Sequence, residues 1–346
     1  MIGAGLSGSL AARELAQSGF AVTVFDSQPQ GSLNATNVSG GMVRAFDLDP
    51  GQRADAASVV YGANSVRGRG SGFVRAGALV SGVDPGEATD FVGGFAAEHG
   101  FEARVMSADD VRGRFGIELP PESVSVFEPG AGFLSPRKVA SFALRVARRA
   151  GAVVRFSSRV ASVTASANWA SLSVAGQREP EEFDYAVVAL GAWTSGSSLG
   201  IDGMLPSRVM AIQVVCVTRP YGVHHPTLFD CESGVYAAPV SPGISLIGLS
   251  TGEHYDSISA PGLHRADPAH VTETLSRAIY RLPWVSSASV VRVIRGFDGV
   301  VEPGTAGTTS LSEDGRIMVV RPWNGAGVKH ALSAARQLRQ ALVARA

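Results

Sequence analysis

The sequence predicts an α/β protein of two domains, one of Rossmann type on a parallel sheet and one an α+β unit on a mostly antiparallel sheet. Three observations carry that expectation. A glycine-rich turn, Gly3-Ala4-Gly5-Leu6-Ser7-Gly8, opens directly into a helical stretch. An apolar run, Phe20-Ala21-Val22-Thr23-Val24-Phe25, follows that stretch and ends on Asp26. Farther along, short apolar segments alternate with Pro and Gly turns, as antiparallel strands do. At 346 residues the chain is long enough for two domains that share a cleft.

Composition narrows the function classes. Hydrophobic residues make up 45% and charged residues 17%, the balance of a globular protein with no disordered signature. The formal net charge is zero and no Lys or Arg run stands out, which argues against nucleic acid or an anionic membrane as a partner. No apolar stretch approaches the roughly 20 residues of a membrane span, and no export signal opens the sequence. A cytoplasmic protein is expected, with Cys216 and Cys231 as two reduced thiols rather than a pair.

The elements follow in order. The helix after Gly8 and the buried strand up to Phe25 form the second half of a β-α-β unit. Its first strand is almost missing, since only Met1 and Ile2 precede the first glycine, and a natural start upstream of Met1 is expected. Further helices are expected over residues 55–67, 87–98, 136–150, 270–282 and 328–345. Strands are expected at Val153-Val154 and Phe156, at Val160 and Val163, and over 183–190, 209–218, 234–238, 244–249, 288–294 and 316–320. There are no internal repeats.

Gly3-x-Gly5-x-x-Gly8 with an acid closing the next strand is the Rossmann dinucleotide fingerprint. The first glycine makes the tight turn, the second admits a pyrophosphate, and the third lets helix and strand pack closely. The N–H groups of Leu6 and Ser7 would face the phosphates at the helix N-terminus. Asp26 would accept from ribose hydroxyls, with Ser27 beside it, and would repel a 2′-phosphate, so NADP is disfavoured. The motif does not separate FAD from NAD.

Later segments make the pattern specific. Gly132-Phe133-Leu134-Ser135-Pro136 leads into a helix, and Gly151-Ala152-Val153 into a strand. Ala186-Val187-Val188-Ala189-Leu190-Gly191-Ala192-Trp193 comes next, and Gly325-Ala326-Gly327-Val328-Lys329 opens the last helix. In this order the chain resembles the FAD-dependent D-amino-acid oxidase superfamily, the group containing glycine oxidase and monomeric sarcosine oxidase. The resemblance is strong for the FAD domain and looser elsewhere. It implies a Rossmann-type FAD-binding domain from residues 1–80, 137–205 and 295–346, and a substrate domain from residues 81–136 and 206–294.

The resemblance also implies roles. Val160 would meet the adenine, and Gly191, Ala192 and Trp193 would pass close to the dinucleotide. Asn37, Ser39, Gly40, Gly41 and Met42 would run beside the isoalloxazine, and Gly325, Gly327, Val328 and Lys329 would bring the last helix to the flavin pyrimidine ring. Arg44 and Lys329 would share the substrate carboxylate, Tyr236 would line the cleft, and Arg295, with Arg292 as competitor, would lie near another carboxylate site. No catalytic base is assigned, and the histidines show no metal-ligand spacing.

The expected reaction is oxidation of the C–N bond of a small amino acid, foremost a secondary amine such as an N-substituted glycine, to an imine that hydrolyses. Oxygen would reoxidise the flavin. A D-amino acid or glycine is the second substrate choice. Two departures matter. No cysteine stands in 293–297, where relatives anchor flavin covalently, so FAD should be non-covalent. No lysine stands in 243–246, where relatives activate oxygen, so another cation serves or another acceptor takes the electrons. The rivals are a flavin dehydrogenase, an NAD-dependent dehydrogenase and a non-catalytic FAD-binding subunit. A homo-oligomer is left open.

Overall fold

The computed structural model describes residues 1–62, 70–194, 199–201, 208–260, 262–302, 305, 309–311 and 315–345. A parallel sheet forms the base. Its order is Val153–Arg155, Thr23–Phe25, the single bridging residue Ile2, Ala186–Val188 and Ile317–Val320, with Thr309–Leu311 antiparallel at the edge. Ile2 does the work of a central strand: its N–H donates to the Val187 carbonyl and its own carbonyl accepts from Ala189 N–H.

Three helices cover one face of this sheet: Leu6–Gln17, Pro136–Arg149 and Gly327–Val343. Each turns a small-residue stripe inward (Ala11, Ala12, Ala143, Ala147, Ala331 and Ala335 are all buried), so the backbones approach closely. The helix from Pro136 starts under three agreeing signals. Ser135 accepts from Lys138 N–H, proline sits at the first turn, and Arg148 and Arg149 close the last turn. On the sheet's other face lies a small antiparallel sheet of Val160–Ala165, Ala170–Val174 and Glu181–Phe183.

The second layer is an eight-stranded roof in the order Val290–Val300, Arg208–Thr218, Ile244–Tyr255, Tyr236–Ser241, Thr227–Asp230, Ala78–Ser81, Val124–Glu128 and Arg104–Ser107. All its pairings are antiparallel except Thr227–Asp230 with Ala78–Ser81. Helix Pro268–Arg281 packs behind it through Ala278 and Leu275.

Several expected elements shift. Residues 183–190 are not one strand: the chain breaks at Asp184-Tyr185, and each half joins a different sheet. The helix expected at 87–98 begins earlier as Pro85–Asp90 and widens into a π-helical turn, Phe91–Ala96. That expected at 55–67 is Arg53–Tyr61, and its remainder beyond residue 62 lies outside the described residues. The roof strand Ala78–Ser81 spans the domain boundary expected at 80, and Val290–Val300 spans the one expected at 295. The boundary at 205 lies outside the described residues.

Candidate active site

Between base and roof lies a cavity of about 1100 Å³. Ligand pockets commonly measure about 300–1000 Å³, so this one has room for an extended dinucleotide with space to spare. The glycine turn forms one end. Gly3 has φ +103°, and a Cβ there would fall 2.3 Å from the Ala189 carbonyl oxygen; at Gly8 it would fall 2.0 Å from that of Gly3. Gly8 therefore packs behind the wall. Gly5, Leu6 and Ser7 line the cavity, and no side chain caps the first helix. Asp26 also lines it. Its carboxylate accepts from Ala4 N–H (2.7 Å) and Gln28 N–H (2.9 Å), so the acid buttresses the turn while facing the cavity.

Ser27, Ser39, Gly40, Gly41, Met42, Val160, Gly191, Ala192 and Trp193 lie on the same wall, as do Gly325, Gly327, Val328 and Lys329 at the start of the closing helix. Asn37 does not. Its amide donates to the Ser32 carbonyl (2.6 Å), and it faces a neighbouring cavity of about 520 Å³. A Cβ at Gly191 or Gly325 would meet nothing within 4 Å, so the chain there leaves open space on the cavity side.

The other end of the cavity holds Arg44. Its Nε is buried without a hydrogen-bond partner, and among the described residues the side chain makes no ion pair. The guanidinium lies over the Phe229 ring, 5.4 Å from its centroid. Lys329 sits nearby but is already paired: its Nζ donates to Asp47 Oδ2. Burial, then repulsion from Arg44, pulls its pKa down to about 8, against the attraction of Asp47 and Glu128. Burial works against the charge on Asp47, but Lys329 and Arg44 outweigh it and hold that carboxyl below its ordinary range. The two cations expected to act together are thus unequal, and Arg44 alone is unpaired.

Glu128, from the roof, reaches beneath this segment. It accepts from the N–H groups of Ala45 (2.9 Å) and Phe46 (2.7 Å) and from the Tyr61 hydroxyl (2.8 Å). Burial raises its pKa; those hydrogen bonds and Arg44 oppose the rise. Tyr236 lines the cavity beside Phe229, its cross-strand partner, and burial pushes its hydroxyl pKa up.

Arg295 corrects an expectation. Its neighbours across the strand show why. Met210, Ile212 and Val214 line the cavity, and in the next strand they pair with Asp298, Gly296 and Ile294. Arg295 pairs with Gln213, one residue out of that phase, so its side chain leaves by the opposite face. There it donates to the Leu263 carbonyl (2.9 Å) and pairs with Glu253. Arg292 is exposed and absent from the cavity wall.

The same alternation brings in a residue that sequence reading missed. Asp298 faces the cavity, accepting from Gly299 N–H (2.8 Å) and from Gly325 N–H, and burial raises its pKa to about 6. His330 stacks on Trp323, with ring centroids 5.2 Å apart, and stays off the wall. Burial, then Lys329, lowers its pKa to about 4. Trp323 does line the cavity, and its Nε1 is buried with no partner. Among the described residues no cluster of His, Cys, Asp or Glu could hold a metal, and both cysteines are free.

A Gly-rich helix entry with an acid at the next strand end, joined by one cavity to an arginine whose buried Nε has no partner, defines the class of a dinucleotide-binding oxidoreductase. The family comparison makes that particular. Residues 1–341 match the FAD dependent oxidoreductase (DAO) family model, and the chain belongs to this family. Comparison with curated proteins yields no match. Among solved structures it is similar to L-proline dehydrogenase from P. horikoshii, with TM-score 0.84, 18% identity, and 99% and 92% of the two chains covered. Glycine oxidase from Geobacillus kaustophilus gives 0.80, 21%, 99% and 93%, and iminodiacetate oxidase from Chelativorans sp. BNC1 gives 0.78, 21%, 99% and 94%. The cavity fits FAD: open glycines, an uncapped helix N-terminus and a strand-end carboxylate line one space of about 1100 Å³.

Proposed function

We propose that this FAD-dependent oxidoreductase oxidises the C–N bond of a small amino acid, foremost a secondary amine such as an N-substituted glycine, to an imine that water hydrolyses. One observation carries the reading: half-buried Arg44, on the cavity wall, has a buried Nε that lacks a partner. A buried donor left unpaired is costly, and a substrate carboxylate is the ligand that satisfies a planar fork of donors. Two structural neighbours, iminodiacetate oxidase and L-proline dehydrogenase, are named for secondary amines, which supports that substrate class.

FAD, when bound, supplies the hydride acceptor. Arg44 binds and orients the substrate, while Phe229, Tyr236 and Leu249 form an apolar wall that excludes water. The positive field of Arg44 favours the neutral amine over the ammonium, so no protein base is required. Asn37 would brace the loop 32–37 that borders the cofactor rather than touch it. FAD is held without a covalent bond in this reading, because residues 293–297 carry no cysteine.

Oxygen is the proposed acceptor. A second reading, a dehydrogenase with another acceptor, is favoured by the roof strand Ile244–Tyr255, which carries no lysine. Purified protein should be yellow, and trichloroacetic acid should release the colour into solution. Anaerobic addition of N-methylglycine should bleach it, and readmitted air should restore it with peroxide for an oxidase but not for a dehydrogenase. Arg44→Ala should keep the colour and raise the amine concentration for half-bleaching at least tenfold, the loss expected for a charge-assisted pair worth about 1.5–3 kcal/mol. An unchanged requirement sinks the reading.

A further inference from the structure

We propose that Asp47 is a specificity-determining residue that confines the site to substrates with a single carboxylate. The inference deepens the function proposed above and rests on its premise that a carboxylate seats on Arg44. Two cations stand at this end of the cavity, and a site with two free cations would welcome a diacid. Here the Asp47 carboxylate occupies the Lys329 ammonium. The trio Arg44, Lys329 and Asp47 then carries one net positive charge, and the Glu128 carboxyl beneath the segment can only diminish it, so the site neutralises at most one carboxylate.

Asp47 is not free to swing aside. Its own carbonyl accepts from Arg53 Nε (2.9 Å), and the Arg53 guanidinium packs against the rings of Phe46 (4.9 Å) and Phe91 (5.5 Å). Upstream, Glu128 holds the N–H groups of Ala45 and Phe46. The segment from Arg44 to Asp47 is pinned from both sides, so the pair with Lys329 is built into the backbone path. A second anion entering here would face Asp47 and also Asp49, which lines the cavity with its carboxylate turned to Gly51 N–H and Gln52 Nε2. Met42, Leu48 and Phe229 offer it no hydrogen bond from their side chains, and the Tyr236 hydroxyl and Trp323 Nε1 on the same wall are neutral donors without a charge to offset it. Such an anion would be desolvated without a compensating cation.

The test uses the holoenzyme and two non-oxidisable ethers that differ by one carboxylate, methoxyacetate and oxydiacetate, with perturbation of the visible flavin spectrum as readout. The wild type should bind methoxyacetate at least about tenfold more tightly, the ratio expected from one uncompensated charge at close range. Asp47→Asn should reverse that order by releasing Lys329, and the gain for oxydiacetate should grow as pH falls from 8.5 to 6.5, because the released amine must be protonated to hold the second carboxylate. Asp47→Glu should restore the preference for one carboxylate, and Asp47→Asn/Lys329→Met should lose the gain.

Equal affinities in the wild type overturn the proposal, and this comparison needs no variant. A ratio unchanged by Asp47→Asn, or a gain that survives loss of Lys329, also overturns it. If neither ether perturbs the flavin and Arg44→Ala changes nothing, the carboxylate reading itself has failed, an outcome distinct from a wrong ratio.

Discussion

A methyl group at Gly8 would stand 2.0 Å from the Gly3 carbonyl oxygen, and no side-chain rotation relieves contact with backbone. Gly8→Ala should therefore lower stability by about 1–3 kcal/mol and weaken FAD retention, visible as a lower melting temperature and paler protein after dialysis. Asp298 makes a pH prediction. Its pKa rises from 3.8 to about 6 on folding, so between those values the folded state binds the extra proton. Stability on this account falls as pH rises from about 4 to about 6, and stays lower above that. Asp298→Asn removes the cost, by about 3 kcal/mol at most, so urea midpoints of variant and wild type should differ more at pH 7.5 than at pH 4. If the difference is the same at both values, the carboxyl is not the source. Arg44, Lys329 and Asp26 could be picked from the sequence because their neighbours are local motifs. Asp47 and Asp298 could not, because their meaning depends on residues far away in the chain, Lys329 for one and the strand at Met210 for the other.

Among the elements, the roof strand Val124–Glu128 has an influence beyond its length, since its last residue fastens the segment that carries Arg44 and Asp47. Glu128→Gln keeps the shape but can accept only through one carbonyl, so one buried N–H loses its partner. The expected cost is about 1–3 kcal/mol of stability, with weaker carboxylate binding in the flavin-perturbation titration. Full retention of both would show that the roof does not position the clamp. This strand and Ala78–Ser81 escaped the sequence reading for a physical reason. All four residues of Ala78–Ser81 are buried, so the alternation that marks a half-buried strand is absent. The strand expected at 288–294 was legible, but its run on to Val300 and its phase were not. Which of its faces meets the cavity follows from pairing with Arg208–Thr218, and that phase decides between Arg295 and Asp298.

At the scale of the molecule, the base sheet and its glycine turns were legible because each fingerprint is short and covalently continuous, whereas the roof is assembled from strands distant in sequence. FAD in that cleft joins the two layers, so its binding should stabilise the whole chain. Free FAD at 100 times its dissociation constant should add about 2.7 kcal/mol, read as a melting transition that rises with added FAD and coincides with flavin release. Separate transitions for colour and helix content would show layers that unfold independently. The pairing of Asp47 with Lys329 has one more consequence. It ties two residues that stand 282 positions apart in the chain. A ribosome must therefore add all the residues between Asp47 and Lys329 before the binding groove can close, and until then the nascent chain exposes apolar surfaces that await later-made partners. Slow maturation and a need for chaperones during synthesis are what such a long-range tether entails.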